Sequence, residues 1–182
     1  YFRYLESLDF GRIIEQVRKM GMKMRCLTIL LLMLLPTGLH AANQKVIFGG
    51  GCFWCMEPPF EKLEGVIDVV SGYSGGTEPN PSYEQVSSGQ AAHVEVVEIT
   101  FDDKVLKFDD LLSVFWQQID PTDSDGQFVD RGLHYRTVIY TTSQSQLTRA
   151  LESRDLLIQS EIFDGPIVTE IRMAGAFHRA ES

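Results

Sequence analysis

The chain has 182 residues, of which 44% are apolar and 23% are charged. These values are typical of a globular protein and exclude a disordered or collagen-like chain. With 16 Lys and Arg against 25 Asp and Glu, the formal net charge is −9. This balance argues against nucleic-acid binding, because phosphate recognition needs a basic surface. Three cysteines are too few for a disulfide-rich scaffold.

Residues 23–41 have the three-part layout of a secretory signal peptide. Two basic residues, Lys23 and Arg25, precede a mostly apolar run over 27–35, and a small-residue cleavage site ends at Ala41. The run is much shorter than the ~20 residues that a membrane-spanning helix needs, so we expect no stable membrane insertion. A buried core helix is the alternative. The layout predicts a periplasmic or secreted protein.

The remaining sequence predicts one domain. We assign residues 1–22 to upstream sequence or a wrongly assigned start, and residues 42–182 to a single domain that is large enough to form its own core. We expect this acidic domain to be a monomer.

Apolar periodicity within the domain predicts alternating strands and helices. Strands are predicted over 46–48, 65–70, 94–101, 137–140 and 167–171. Helices are predicted over 52–63, 108–119 and 143–158, the last with a Ser143/Gln146 capping box, and long loops over 71–81 and 121–134. This order predicts an α+β fold: a two-layer α/β sandwich with a ferredoxin-like split βαβ core and long loops.

A Cys-x-x-Cys motif, Cys52 to Cys55, follows three glycines and begins a predicted helix. The free N–H groups of a helix N-terminus stabilise a thiolate, so we expect the pKa of Cys52 to fall below its usual ~8.5. The spacing places Cys55 one turn further on, close enough for a disulfide. A purely structural disulfide is the alternative. Two cysteines and scattered histidines do not make a zinc site, so we expect no metal.

Glu95 is a candidate acid within the strand predicted over 94–101. Alternation places it on the same face as Val97, Ile99 and Phe101. A carboxyl on an apolar face has a raised pKa and can hold a proton near neutral pH. The alternative is a glutamate that forms an ion pair with a Lys or Arg.

Nearly all of residues 45–182 resemble the A-type peptide methionine sulfoxide reductases. The matching motifs are Gly51-Cys52-Phe53-Trp54, Ser71 to Gly76, Pro81-Ser82-Tyr83, His93-Val94-Glu95, Phe115-Trp116, Asp120 to Asp123, Gly126-Gln127-Phe128, Asp130-Arg131-Gly132, Tyr135-Arg136 and, more weakly, Phe177 to Glu181. These motifs occur in the same order as in the family, which is far more specific evidence for the resemblance than a Cys-x-x-Cys motif alone. Because the family pattern continues past Glu181, we also expect a truncation at the C-terminal end.

The resemblance implies repair of oxidised proteins, by reduction of protein-bound and free methionine-S-sulfoxide. In this family the cysteine matched by Cys52 attacks the sulfoxide sulfur and becomes a sulfenic acid, and the glutamate matched by Glu95 is the general acid. The tyrosines matched by Tyr83 and Tyr135 hydrogen-bond the sulfoxide oxygen. Three further matches form the substrate pocket: Phe53 and Trp54 enclose the methyl group, and Asp130 supports the pocket through hydrogen bonds.

The resemblance also implies how the sulfenic acid is reduced. Cys55 would be the resolving cysteine, giving a Cys52–Cys55 disulfide. An external dithiol, a thioredoxin-type protein, would reopen that disulfide by exchange, without a bound cofactor. Its partners would be oxidised proteins and peptides together with this reductant.

Two other functions use the same residues. A general thioredoxin-like thiol–disulfide oxidoreductase would also use the dithiol, but it needs a proline before a strand, and here Pro79 and Pro81 lie in a predicted loop. A non-catalytic exported binding domain with a structural disulfide is the other alternative.

Overall fold

The computed structural model describes residues 43–181, and the predicted signal peptide lies outside them. The elements in chain order are β1 (Gln44–Gly49), α1 (Phe53–Glu61), β2 (Val66–Ser74), α2 (Tyr83–Ser87), β3 (Val94–Phe101), α3 (Phe108–Gln118), β4 (Gly126–Gln127), β5 (Asp130–Arg131), a 3-10 turn (Leu133–Tyr135), β6 (Val138–Thr141), α4 (Gln144–Gln159), β7 (Glu170–Met173) and β8 (Phe177–Arg179). Among these helices, none has the length and apolar character needed to cross a bilayer.

Six strands form one sheet in the order β7-β6-β1-β3-β2-β8, and β4 pairs with β5 in a separate small hairpin. All neighbours in the large sheet are antiparallel except β6 and β7. The units β1-α1-β2 and β3-α3-β6 interleave to give the central order β6-β1-β3-β2. This is the predicted split βαβ arrangement, and the α+β fold class is confirmed.

The two faces of the sheet contact different partners. One face carries Phe48, Val97, Ile99 and Phe101 and packs on buried side chains of helices α1 and α3, with Ala150 of α4. The opposite face carries a smaller cluster, which includes Val94 and Val96 and packs against Ala174 and Phe177. Since strand residues alternate between faces, Glu95 lies on the helix-covered side with Val97. The face predicted for Glu95 is therefore confirmed.

The predicted boundaries are wrong where strand pairing outweighs local composition. The segment 71–74, predicted as loop because of its Gly and Ser content, continues β2, since it is hydrogen-bonded between β3 and β8. The last predicted strand, 167–171, lies instead at Glu170–Met173, in parallel register with β6. Helix α2 and strand β8 were not predicted, and the segment 121–134, predicted as loop, contains the short hairpin of β4 and β5 and the start of the 3-10 turn.

The cap of helix α4 matches the sequence only in part. The Ser143 hydroxyl accepts the N–H of Gln146 at 3.2 Å, as predicted. In a capping box the Gln146 side chain would accept the N–H of Ser143. Here its side-chain oxygen Oε1 accepts the N–H of Thr142 instead, at 3.0 Å. The Gln146 amide also donates to the Lys45 carbonyl at 3.0 Å, so this side chain joins the helix start to β1.

Candidate active site

Cys52 lies at the N-terminal end of helix α1, directly after the glycine turn that leaves β1. Its carbonyl accepts the N–H groups of Cys55 at 3.0 Å and Met56 at 3.3 Å, which begins the helix. Gly51 has a φ of +91°, a conformation that favours glycine, and its N–H donates to the Tyr135 carbonyl at 3.0 Å. The turn therefore sets the position of Cys52 and joins it to the segment that carries Tyr135.

Glu95 is buried, with 1% of its surface exposed, and it contacts the same helix start. Its Oε2 accepts the backbone N–H of Phe53 at 3.2 Å. Burial raises the pKa of Glu95 to about 7, although the Phe53 hydrogen bond lowers it; the nearby negative charge of Asp130 also raises it. The carboxyl can therefore gain or release a proton near neutral pH.

The pKa of Cys52 lies above its usual value, so the predicted lowering is wrong. Burial has the largest effect, because it disfavours the thiolate. The N–H groups of Trp54 and Cys55 act in the predicted direction, but they do not outweigh burial, and the charges of Glu95 and Cys55 add to the rise. Cys52 is half-buried and Cys55 is exposed, and both are free thiols.

The two predicted tyrosines and Asp130 lie in three separate elements around this centre. Tyr83 is the first residue of α2, Tyr135 ends the 3-10 turn, and Asp130 begins β5. Burial raises the pKa of Tyr135, and the nearby Glu95, Tyr83, Asp130 and Cys52 raise it further. The contacts around the helix start agree with this. Gly51 donates to the Tyr135 carbonyl, a Cβ on Gly51 would lie 3.7 Å from Asp130 Oδ2, and Glu95 accepts the Phe53 N–H. The fold therefore brings Cys52, Glu95, Asp130 and Tyr135 together, with Tyr83 close enough to influence Tyr135.

Phe53 and Trp54 have different surroundings although they are adjacent. Phe53 is buried, and its ring centroid lies 6.0 Å from that of Tyr73 and 5.5 Å from that of Trp54. Trp54 is 69% exposed, so its ring is open to an incoming side chain. The pair forms an aromatic corner beside Cys52, with one ring fixed in the core and one facing solvent.

Three site residues were missed at the sequence level. Tyr73 is fully buried and pairs across the sheet with Glu95. Gln127 is fully buried beside Gly51 and hydrogen-bonds the backbone of Asp120 through both amide atoms. Glu181 accepts hydrogen bonds from the Tyr73 hydroxyl and the Tyr83 N–H. All three stand in motifs of the family pattern, Glu181 in the more weakly matching one, but the resemblance by itself implied no role for them.

Within residues 43–181, no group of three or more His, Cys, Asp or Glu side chains is arranged to hold a metal ion.

Comparisons with known proteins point to one family. The family model described as peptide methionine sulfoxide reductase matches residues 44–182. The MsrA of Streptococcus uberis is 51% identical over 138 residues, which cover 76% of this chain and 82% of that protein.

Solved structures give the same result. The methionine sulfoxide reductase A of Corynebacterium diphtheriae superposes with a TM-score of 0.70 at 32% identity, covering 79% of this chain and 72% of that one. Mxr1 of Saccharomyces cerevisiae, solved in complex with Trx2, shares the fold with a TM-score of 0.56 at 19% identity, covering 76% and 81%. The chain belongs to the peptide methionine sulfoxide reductase family, whose activity is the reduction of methionine sulfoxide.

Proposed function

We propose that this protein reduces methionine-S-sulfoxide in oxidised proteins and peptides, with Cys52 as the nucleophile and Glu95 as the general acid. The observation that carries these roles is the hydrogen bond from the Phe53 N–H to Glu95 Oε2 at 3.2 Å. It joins a buried carboxyl with a pKa of about 7 to the helix start that carries the thiol.

The first step transfers oxygen from methionine to Cys52. The thiol proton passes to the Glu95 carboxylate, and the resulting thiolate attacks the sulfoxide sulfur. Glu95 then gives this proton to the sulfoxide oxygen, which would otherwise leave sulfur poorly. The attack forms a bond between Cys52 Sγ and the substrate sulfur. As the protonated oxygen moves to Sγ, this S–S bond and the S–O bond to methionine both break, and the electron pair of the S–S bond stays on the methionine sulfur. A thiol and a sulfoxide thus become a sulfenic acid and a thioether.

Tyr83 and Tyr135 act as hydrogen-bond donors to the sulfoxide oxygen. The pKa of Tyr135 is raised, mainly by burial, so its hydroxyl keeps its proton at neutral pH and is available to donate. Phe53 and Trp54 contact the methyl group of the substrate, and Asp130 supports the pocket.

Cys55 resolves the sulfenic acid. Its thiol displaces the hydroxyl of the Cys52 sulfenic acid, which releases water and forms a Cys52–Cys55 disulfide. Cys55 is exposed and lies one helical turn from Cys52, with its N–H on the Cys52 carbonyl at 3.0 Å. An external dithiol then reduces the disulfide by exchange, without a bound cofactor. The solved complex of Mxr1 with Trx2 supports a thioredoxin-type protein as this reductant.

The cellular setting follows from the N-terminal sequence. The signal-like residues 23–41 support a periplasmic or secreted enzyme. A thioredoxin-type reductant would then need to reach that compartment. We also expect the protein to act as a monomer.

The test uses the purified protein, dithiothreitol and the separated S and R sulfoxides of a blocked methionine. We expect turnover of the S form and little or none of the R form. Reduction of insulin disulfides without turnover of either sulfoxide would support a general oxidoreductase instead. Thiols inert to both alkylation and peroxide would support a binding domain.

A further inference from the structure

The C-terminal segment of the described chain reaches the active site as an edge strand. Strand β8 pairs with β2 in antiparallel register, with His178 opposite Tyr73, and the Ala180 N–H donates to the Ser71 carbonyl at 3.0 Å. Since Tyr73 also pairs with Glu95 on its other side, this arrangement brings Glu181 close to the catalytic strand.

The two carboxylate oxygens of Glu181 contact two different parts of the site. Oε2 accepts the hydroxyl of Tyr73 at 3.1 Å, and Oε1 accepts the backbone N–H of Tyr83 at 3.0 Å. These contacts span 108 and 98 residues of sequence, respectively. Backbone N–H groups of Glu181 itself and of Tyr83, together with the Tyr73 hydroxyl, hold the pKa of this carboxyl below its usual range, so it is ionised at neutral pH.

The two contacts differ in how firmly they are held. Tyr73 is fully buried beside Phe53, so packing holds its hydroxyl in one position. Tyr83 is 49% exposed and begins a helix of only five residues. Such a short helix is marginal by itself, so its position depends on tertiary contacts. Glu181 supplies one of these contacts.

Helix α2 is anchored near its middle by Val86, which is fully buried in the core, and Glu181 adds a hydrogen bond at its first residue. The first N–H groups of a helix lack partners within it. The Ser82 hydroxyl accepts the N–H of Gln85 at 3.3 Å, but this contact lies within the same short segment. The hydrogen bond to Glu181 instead ties the Tyr83 backbone to a different part of the fold.

We infer that Glu181 is a positioning residue for sulfoxide reduction: its carboxylate links the backbone of Tyr83 to the buried Tyr73 and so fixes where the Tyr83 hydroxyl lies. The inference rests on the proposed function, in which that hydroxyl donates to the sulfoxide oxygen. Glu181 acts through Tyr83 and does not touch the substrate.

The experiment is a double-mutant cycle on kcat/KM for methionine-S-sulfoxide, with Glu181→Ala, Tyr83→Phe and the double variant. We expect Glu181→Ala to lower kcat/KM about tenfold in the wild-type background, as for the loss of a hydrogen bond to a charged group. In the Tyr83→Phe background, Glu181→Ala should lower kcat/KM less than about twofold, because that variant has no Tyr83 hydroxyl to position. A structural defect would instead reduce activity equally in both backgrounds.

Two further variants and one control separate the loss of the Tyr83–Glu181–Tyr73 hydrogen bonds from a loss of folding. Glu181→Gln should keep most of the activity, since its amide oxygen accepts the Tyr83 N–H and its NH₂ group can donate to the Tyr73 oxygen. Tyr73→Phe keeps the buried ring and removes only the hydroxyl, so it tests the same hydrogen bonds even if Glu181→Ala fails to fold. We expect it to lower kcat/KM about threefold in the wild-type background and to have no effect in the Tyr83→Phe background. Glu84→Ala, an exposed carboxylate adjacent to Tyr83, is the matched control and should leave kcat/KM unchanged.

The outcomes distinguish this inference from the proposed function. A wild-type protein without sulfoxide turnover would contradict the proposed function itself. An active wild type with Glu181→Ala at the same rate would overturn the role of Glu181. Equal losses in the wild-type and Tyr83→Phe backgrounds would overturn it as well.

Discussion

The carboxyl of Glu95, in the middle strand β3, accepts a hydrogen bond from the backbone N–H of Phe53, the first residue of helix α1, at 3.2 Å. This contact joins the proton donor to the helix start that carries Cys52. It also means that the two groups influence each other, because the charge of Glu95 raises the pKa of the thiol.

Glu95→Gln should change thiol reactivity and catalysis in opposite directions. Gln keeps an oxygen that can accept the Phe53 N–H but carries no negative charge, so the pKa of Cys52 should fall and its alkylation by iodoacetamide at pH 8 should become faster. Sulfoxide reduction should fall about 10²–10⁴-fold, because the proton donor is lost. Both rates are measured in a Cys55→Ser background, where Cys52 is the reacting thiol. Slower alkylation in Glu95→Gln would contradict the coupling.

The pH dependence of the first turnover should be bell-shaped. The reactive form holds one proton, on Glu95, and a thiolate on Cys52. Below about pH 7 both groups are protonated, and above the raised pKa of Cys52 both have lost their protons. The rate of sulfenic acid formation at low substrate concentration should therefore rise through about pH 7 and decline only at alkaline pH. Stopped-flow measurement of this rate in Cys55→Ser tests the assignment, and a rate that falls steadily from pH 6 upward would contradict it.

Burial of Glu95 should make the protein less stable as pH rises. Its folded pKa of about 7 is above the unfolded value of 4.5, so the folded state binds more protons between these two values. The free energy of unfolding should thus decrease by about 1–3 kcal/mol from pH 4.5 to pH 8 through this group. In Glu95→Gln this contribution is absent. Urea unfolding of both proteins at pH 5 and pH 8 should show the variant gaining stability relative to wild type at the higher pH.

The two cysteines should give different products when replaced. Cys52→Ser should form no methionine, since the nucleophile is missing. Cys55→Ser should form about one equivalent of methionine per protein and then stop in the presence of thioredoxin, with Cys52 held as a sulfenic acid that a dimedone-type reagent labels. Quantifying product and adduct mass tests both variants. Repeated turnover by Cys52→Ser would exclude Cys52 as the nucleophile.

Gly51, in the turn before Cys52, and Gly89, which follows helix α2, form a matched pair for substitution. Gly51 and Gly89 have φ values of +91° and +74°, so Gly51→Ala and Gly89→Ala should each lower the free energy of unfolding by about 1–2 kcal/mol. A Cβ on Gly51 would lie 3.2 Å from Gln127 Cβ, whereas one on Gly89 would have no neighbour within 4 Å. Only Gly51→Ala should displace Cys52, with about a tenfold loss in kcat/KM. Equal activity in the two variants would contradict a positioning role for this turn.

The parts of the fold that were predictable are those with strong local periodicity. The β-branched run over 94–101 matches β3 residue for residue, and the stripe that includes Phe108, Leu111 and Phe115 matches α3. The face of Glu95 followed from the same alternation. Strand β8 and the continuation of β2 to Ser74 were not predictable, because Gly and Ser favour loops unless a neighbouring strand supplies hydrogen bonds.

By itself, the sequence determined the thiol pair at a helix start, the strand face of Glu95 and the order of the core elements, since each depends on residues close together in the chain. Only the tertiary structure decided the pKa of Cys52, the meeting of Glu95 with the Phe53 N–H and the two contacts of Glu181. These depend on burial and on hydrogen bonds between residues 42 to 108 positions apart. Local sequence patterns cannot predict this burial or these hydrogen bonds, because both arise only when the sheet brings distant residues together.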